Sequence, residues 1–252
     1  MTSRIIGVVL IKDNVVVQTT NFNVTNIIHA DPIFATRKMY KDEADEIIVI
    51  DLNGQITNSS YSIIKKILTH VFVPVTISAP FRSRHEIDLM FQAGVERLIF
   101  NSGFWQLSDY FSYVSDKYGM QAVLPVLEYR SAMGFSHTIY RGSTVIHSDI
   151  HQCKKMLDSL RIPELLMIPI DHDGTFSSPE LVYSTRFICN RYQTILFGGI
   201  STAKDITSVL DEGHTSVAIG NAFHYSEGIC TSFKYRSCLR ARHNVRPPSI
   251  KE

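Results

Sequence analysis

Eight short apolar runs, rich in β-branched residues, recur along the chain at 4–11, 46–52, 73–79, 97–101, 122–128, 164–170, 194–200 and 216–221. They are nearly continuous rather than alternating, the pattern of strands buried on both faces, as in a parallel sheet. Amphipathic stretches such as 61–69, 84–93, 149–159 and 203–211 separate them, with apolar residues at helical spacing. Eight such units in 252 residues fit a closed (β/α)8 barrel, of the TIM-barrel kind, better than an open doubly wound sheet. No glycine-rich dinucleotide fingerprint follows the first strand, which weakens the open sheet further. The expected class is α/β, with one barrel over residues 1–252.

The chain also repeats itself. Ala93-Gly94-Val95-Glu96-Arg97-Leu98-Ile99-Phe100 resembles Glu212-Gly213-His214-Thr215-Ser216-Val217-Ala218-Ile219, an offset of 119 (213 − 94). Glu46-Ile47-Ile48 and Glu164-Leu165-Leu166 repeat at 118 (164 − 46). Two half-barrels follow, at about 1–120 and 121–240, with a frayed, solvated tail over 241–252.

Charge and cysteine usage exclude several classes. The net charge of +1, from 25 Lys+Arg against 24 Asp+Glu, removes the electrostatic case for a nucleic-acid partner. The opening apolar run is too short for a membrane span and lacks a cleavage site. Cys153, Cys189, Cys230 and Cys238 form no CxxC pair and read as reduced thiols. His147 and His151 match helical spacing, but no third ligand accompanies them. The expectation is a cytoplasmic protein with no metal, no cofactor, and no nucleic-acid or membrane partner.

In such a barrel the working residues sit where the strands end. Gly198-Gly199 closes the seventh run and Gly220-Asn221 the eighth, each before a helix, where bare backbone N–H groups suit a phosphate. Gly174 and Thr175 extend that pocket, and Asn101 and Ser102 are its first-half counterpart. At the first-half turn Ser78-Ala79-Pro80, proline stands where the repeat has Gly199 and offers no N–H, although Arg82 and Arg84 could supply charge. Asp51, Glu128, Asp171 and Asp173 are the carboxylates at strand ends, with Asp51, Glu128 and Asp173 the candidates for acid–base chemistry. The half-repeat partner of Glu128 is Leu10, which cannot transfer a proton. His172 is either a group titrating near neutral pH or a solvated loop residue. Trp105 reads as barrel cover. At the opposite rim, Arg4, Glu46, Arg97 and Glu164 open strands one, two, four and six with alternating charge. Such charges are costly to bury unless paired.

Taken together, these residues resemble the cyclase subunit of imidazole glycerol phosphate synthase. Arg4-Ile5-Ile6, Lys12-Asp13, Thr20-Asn21-Phe22, Ile50-Asp51, Asn101-Ser102, Ile170-Asp171-His172-Asp173-Gly174-Thr175, Gly198-Gly199 and Phe223-His224 follow in the family's order. The resemblance implies a glutaminase docked on the barrel bottom and ammonia passing through the barrel. It makes Arg4, Glu46, Arg97 and Glu164 the ammonia gate, with Arg97 where the family commonly has lysine, and Glu96 part of the glutaminase interface. It also places the family's two catalytic aspartates on Leu10 and Glu128. A branch of the family in surface-polysaccharide (lipopolysaccharide) clusters is similar in having leucine at the first. Its members are thought to act with a glutaminase and a sugar amidotransferase to turn an acetamido group into an acetamidino group.

Three functions stay open at this level. One is an ammonia-conducting barrel serving sugar amidination, the second a histidine-pathway cyclase using Glu128 and Asp173. The third is a non-catalytic scaffold binding a phosphorylated small molecule.

Overall fold

Eight parallel strands close on themselves: β1 (Arg4–Lys12), β2 (Glu46–Asp51), β3 (Val75–Ser78), β4 (Arg97–Phe100), β5 (Val123–Tyr129), β6 (Glu164–Pro169), β7 (Gln193–Phe197) and β8 (Ser216–Ile219). Each pairs with its successor, and β8 returns to β1 with Arg4 opposite Ser216 and Gly7 opposite Ile219. The computed structural model describes residues 2–100, 109–130, 139–140, 144–145, 155, 157–182, 184–187, 191–240 and 243–249. Asn101, Ser102, Trp105, His147 and His151 lie outside the described residues.

Strand alternation splits the core in two. Ile6, Val8 and Leu10 of β1 point into the barrel with Ile48, Ile50, Val126, Leu166, Ile168, Ile195 and Phe197. Ile5 and Val9, one residue out of phase, belong to the outer cluster with Met39, Ile64, Ile87 and Val209 from the surrounding helices. Each fully buried aliphatic side chain contributes about 1.5–3 kcal/mol relative to exposure. This double burial explains why the strand sequences are apolar without alternation.

The helices begin where the sequence supplies caps. Asp31 accepts Ile33 N–H at 2.8 Å to open α1 (Pro32–Lys41), with Pro32 at its first position. Thr57 caps α2 (Asn58–His70) and Ser83 caps α3 (Arg84–Ala93), each through the N–H three residues on. Next come α4 (Asp109–Tyr118) and then α5 (Ala203–Asp211), where Thr202 and Asp205 form a reciprocal capping box. α6 (Asn221–Tyr225) and α7 (Ile229–Arg240) follow β8. Among them none is long and apolar enough to cross a membrane.

The offset of 119 recurs in the backbone. Gly94 ends α3 at φ 102° with Val95 N–H donating to Met90 O, and Gly213 follows α5 at φ 101° with His214 N–H donating to Val209 O. Both are left-handed turns at which glycine is unstrained.

Two features differ from the sequence reading. After β1 the chain forms an antiparallel ribbon, Val15–Thr20 with Asn23–His29, before α1 begins. Its turns, Asp13-Asn14 and Asn21-Phe22, have positive φ at both central residues, the two-residue geometry that matches strand twist. The stretch 243–249 is not a frayed tail. Ser3 N–H donates to Asn244 O at 2.6 Å, Val245 is buried, and Arg246 reaches Asp45 at 2.9 Å. Its partners are residues near the start of the chain, which no local pattern in the tail reveals.

Candidate functional site

At the lower rim, the four charges that open β1, β2, β4 and β6 meet inside the barrel. Arg4 Nη1 donates to Glu46 Oε2 at 3.1 Å and Nη2 to Glu164. Arg97 Nη1 donates to Glu164 Oε2 at 2.5 Å and Nη2 to Glu46. Each arginine bridges both glutamates, and the ring is closed. The two Nε groups are also used: Arg4 donates to Ser216 Oγ and Arg97 to Thr76 Oγ1, both at 3.2 Å. Thr76 in turn donates to Glu46 at 2.7 Å. Burial works against the charge on Arg97, but Glu46 and Glu164 outweigh it and hold its pKa above the ordinary value. Glu96, one residue before Arg97, is exposed at the same rim.

At the opposite end lies an open pocket lined by Leu10, Asp173, Gly174, Phe176, residues 197–200, Ala218, Gly220 and Asn221. Its floor is apolar, with Leu10 and Phe197 both in the barrel-interior cluster. Its walls are the glycine turns after β6, β7 and β8. Gly199, at φ 74°, passes so close to the chain that a Cβ would sit 2.2 Å from Ser178 O. Gly174, at φ 68°, faces Thr19 O, with a virtual Cβ at 1.8 Å. No side chain fits at either place, so backbone lines this wall.

Asp173 is buried at the edge of this pocket, and the ribbon holds it. Thr19 Oγ1 donates to Asp173 Oδ2 at 2.6 Å, Phe22 N–H to the same oxygen at 2.9 Å, and Asn21 N–H to Asp173 O at 3.1 Å. Burial raises the carboxyl pKa, while the Thr19 and Phe22 bonds pull it partly back. Neither Thr19 nor Phe176 was among the sequence candidates. Their roles come from contacts across the fold, with no signal in their own segments.

The remaining candidates divide. Gly174, Gly198, Gly199, Gly220, Asn221 and Asp173 share the pocket. Glu128 is buried at the end of β5, in phase with the interior residues Leu124 and Val126, but it does not line the pocket. Asp51 caps its own turn by accepting Asn53 N–H at 2.8 Å. It follows the inward-facing Ile50, so alternation turns it away from the interior. Thr175 Oγ1 is engaged with His172 O at 3.0 Å. His172 Nδ1 lies 2.8 Å from Ser178 O, and Asp171 pairs with Arg130 at 3.1 Å. At the first-half turn, Phe81 N–H donates to Ala79 O, Arg82 N–H donates to Glu86, and the Arg82 guanidinium holds Gln55 and Gly54 O. These groups are committed to the fold, unlike the glycine turns of the second half.

Over residues 4–228 the chain matches the family described as histidine biosynthesis protein, and it belongs to that family. It is similar to imidazole glycerol phosphate synthase subunit HisF of Natranaerobius thermophilus, 24% identical over 90% of this chain and 92% of that protein. The proteins of the same name from Streptococcus sanguinis and Streptococcus mutans are 24% and 25% identical over the same shares.

Proposed function

We propose that this member of the histidine biosynthesis family receives ammonia from a glutaminase at its lower rim and delivers it to a phosphorylated acceptor pathway at its mouth, with little cyclase activity of its own. Amidination of a surface-polysaccharide sugar, carried out by a partner sugar amidotransferase, is the process it would serve. Leu10 carries the reading. It forms the pocket floor at the place where the family resemblance puts a catalytic aspartate, while the charged ring at the other end is intact.

The chemistry of passage follows from the lining. An apolar interior, Ile6, Val8, Ile48, Val126 and Ile168 among others, admits neutral ammonia far more readily than ammonium, because burying an unpaired charge is prohibitive. The ring is closed, so passage requires one arginine to release a carboxylate while its twin keeps both glutamates partly neutralised. A phosphate is held by the backbone N–H groups of the β7 and β8 turns.

The test gives the purified chain the bisphosphorylated ribulosyl aminoimidazole carboxamide substrate of the family and excess ammonium salt at alkaline pH. Ammonium bypasses the glutaminase, so the barrel's own chemistry is isolated. The expected result is no turnover beside an active relative, together with stimulation of a glutaminase when the two are mixed. Leu10→Asp with Pro80→Gly is expected to restore part of the turnover. A second reading, a working cyclase, is favoured by the burial of Glu128 and Asp173 at the ends of β5 and β6; enzyme-like turnover by the unaltered chain would establish it. Ligand binding with neither turnover nor glutaminase stimulation would leave the scaffold function.

A further inference from the structure

The charged ring has one seam unlike the others. Of its four bridges, Arg4 to Glu46 is the longest, at 3.1 Å, and it joins the neighbouring strands β1 and β2. The two arginines also differ in how they are held. Arg97 donates its Nε to Thr76, which is fully buried and itself bonded to Glu46, so this arm closes a second loop within the ring. Its backbone is enclosed by β3 and β5, with Arg97 opposite Thr76 and Leu98 opposite Val123. Arg4 pairs with Ser216 of β8, whereas its ladder with β2 starts two residues later, at Ile6 opposite Glu46. The Arg4 side chain is 29% exposed, against 11% for Arg97.

A second group of charges stands on the outer side of that seam. Ile5 follows Arg4 and Asp45 precedes Glu46, each one step out of phase with the ring. They are bonded twice, Ile5 N–H to Asp45 Oδ2 and Asp45 N–H to Ile5 O, both at 2.8 Å. The other carboxylate oxygen of Asp45 accepts the fully buried Lys234 Nζ of α7 at 2.5 Å and Arg246 Nε at 2.9 Å. On the far side of Arg4, Ser3 N–H donates to Asn244 O. Both neighbours of Arg4 are therefore tied to the C-terminal part of the chain, Ser3 directly and Ile5 through Asp45. Little of the Asp45 side chain reaches water, so its carboxylate depends on those two cations. Arg246, with a side chain 47% exposed, is the one reachable from solvent.

We infer that the ring opens at the Arg4–Glu46 seam, with Arg4 the arm that moves and Arg97 the arm that stays, and that Asp45, Lys234 and Arg246 are positioning residues that latch this seam from outside. The inference rests on the proposed passage of ammonia through the ring. Movement of Arg4 parts the seam while Arg97 remains on both glutamates, so neither buried carboxylate is left without a cation. Movement of Arg97 would break the Thr76 loop as well and would start from a side chain with less access to water.

Side-chain NMR of the full chain, with isotope-labelled arginine, reads the two arms separately through their Nε–H signals, assigned with Arg4→Lys and Arg97→Lys. In the unaltered chain the Arg4 Nε–H should exchange with solvent faster than that of Arg97. Equal rates, or faster exchange at Arg97, would overturn the choice of moving arm. Arg246→Ala should speed exchange at Arg4 about fivefold, between the effect of a screened surface pair and that of a bond to a buried charge, and leave Arg97 unchanged. Arg246→Lys should restore most of the protection. An unmoved Arg4 signal, or equal acceleration at both arginines, would overturn the latch, because general loosening of the fold reaches both arms.

These readings need no partner protein. Absence of glutaminase stimulation would instead sink the ammonia reading, and the gate role of the seam with it, whichever way the exchange rates fall.

Discussion

The two ends of this barrel handle polar groups in opposite ways. At the lower rim, four side chains of alternating charge, with Thr76 and Ser216, satisfy one another in a closed network. At the mouth, the polar wall is backbone exposed by glycine, over a floor of Leu10 and Phe197. A network of paired charges is rigid and specific, and it is costly to break because each member lost leaves a partner buried and alone. A glycine-turn wall offers N–H donors to whatever anion arrives, and its weakness is steric. The difference separates a rim closed by paired side chains from a mouth whose wall is left as bare backbone.

That contrast can be broken most forcefully at the closed rim. Glu46→Ala removes a carboxylate shared by Arg4, Arg97 and Thr76, and the expected loss is about 3–5 kcal/mol of unfolding free energy. Urea denaturation measures it. Replacing all four ring charges with apolar residues of similar volume should recover most of that loss, since paired burial is itself expensive.

At the mouth the expected damage is local. Gly199→Ala meets Ser178 O with a Cβ at 2.2 Å and a backbone at φ 74°, and should cost about 1–3 kcal/mol while abolishing phosphate binding by calorimetry. A ring variant of equal instability should keep that binding. If Glu46→Ala also loses it, the two ends are coupled and the comparison fails.

Acid sharpens the picture at a third place. His214 is buried between Thr194 Oγ1 at 3.0 Å and Ser184 Oγ at 3.1 Å, and burial lowers its pKa to about 4. His224 is also lowered to about 4, by burial and then by Lys38 and His29. In the unfolded chain both histidines take protons near pH 6.5, so between about 6.5 and 4 the unfolded state binds more protons and stability falls as pH falls. The His214 share is roughly 3 kcal/mol at full protonation. The raised pKa of Asp173 acts in the opposite direction. Denaturation followed across this window should show a shallower slope in His214→Gln than in the unaltered chain.

The smallest effect belongs to the half-buried surface cluster on α3 and α4, where Asp88 accepts Tyr113, Tyr118 and Lys117. Those bonds hold its pKa at about 2. Asp88→Asn should leave urea stability and phosphate binding nearly unchanged, as solvent screens exposed pairs.

Much of the barrel was legible in the chain. The runs at 46–52 and 164–170 became Glu46–Asp51 and Glu164–Pro169, because a strand buried on both faces writes its apolarity residue by residue. The charges of the ring were legible too, as alternating signs at the starts of four strands, but only the family resemblance made them a ring. The turns of Gly174 and Gly199 could be found because only glycine leaves room for the backbone that passes beside them. Asp51 misled, because being the last residue of a strand does not give the direction of its side chain, and one step of alternation turns it away.

The sequence by itself determined the number of barrel strands, the class of fold and the chemical character of the two rims, because each depends on local pattern and on the fixed periods of helix and strand. Tertiary structure decided the rest. Asp173 finds the Thr19 hydroxyl across 154 positions of chain, Arg246 finds Asp45 near the opposite terminus, and Leu10 becomes a pocket floor only when β6, β7 and β8 close beside it. Those contacts depend on distances through space, which closure of the barrel sets and no short window of sequence contains.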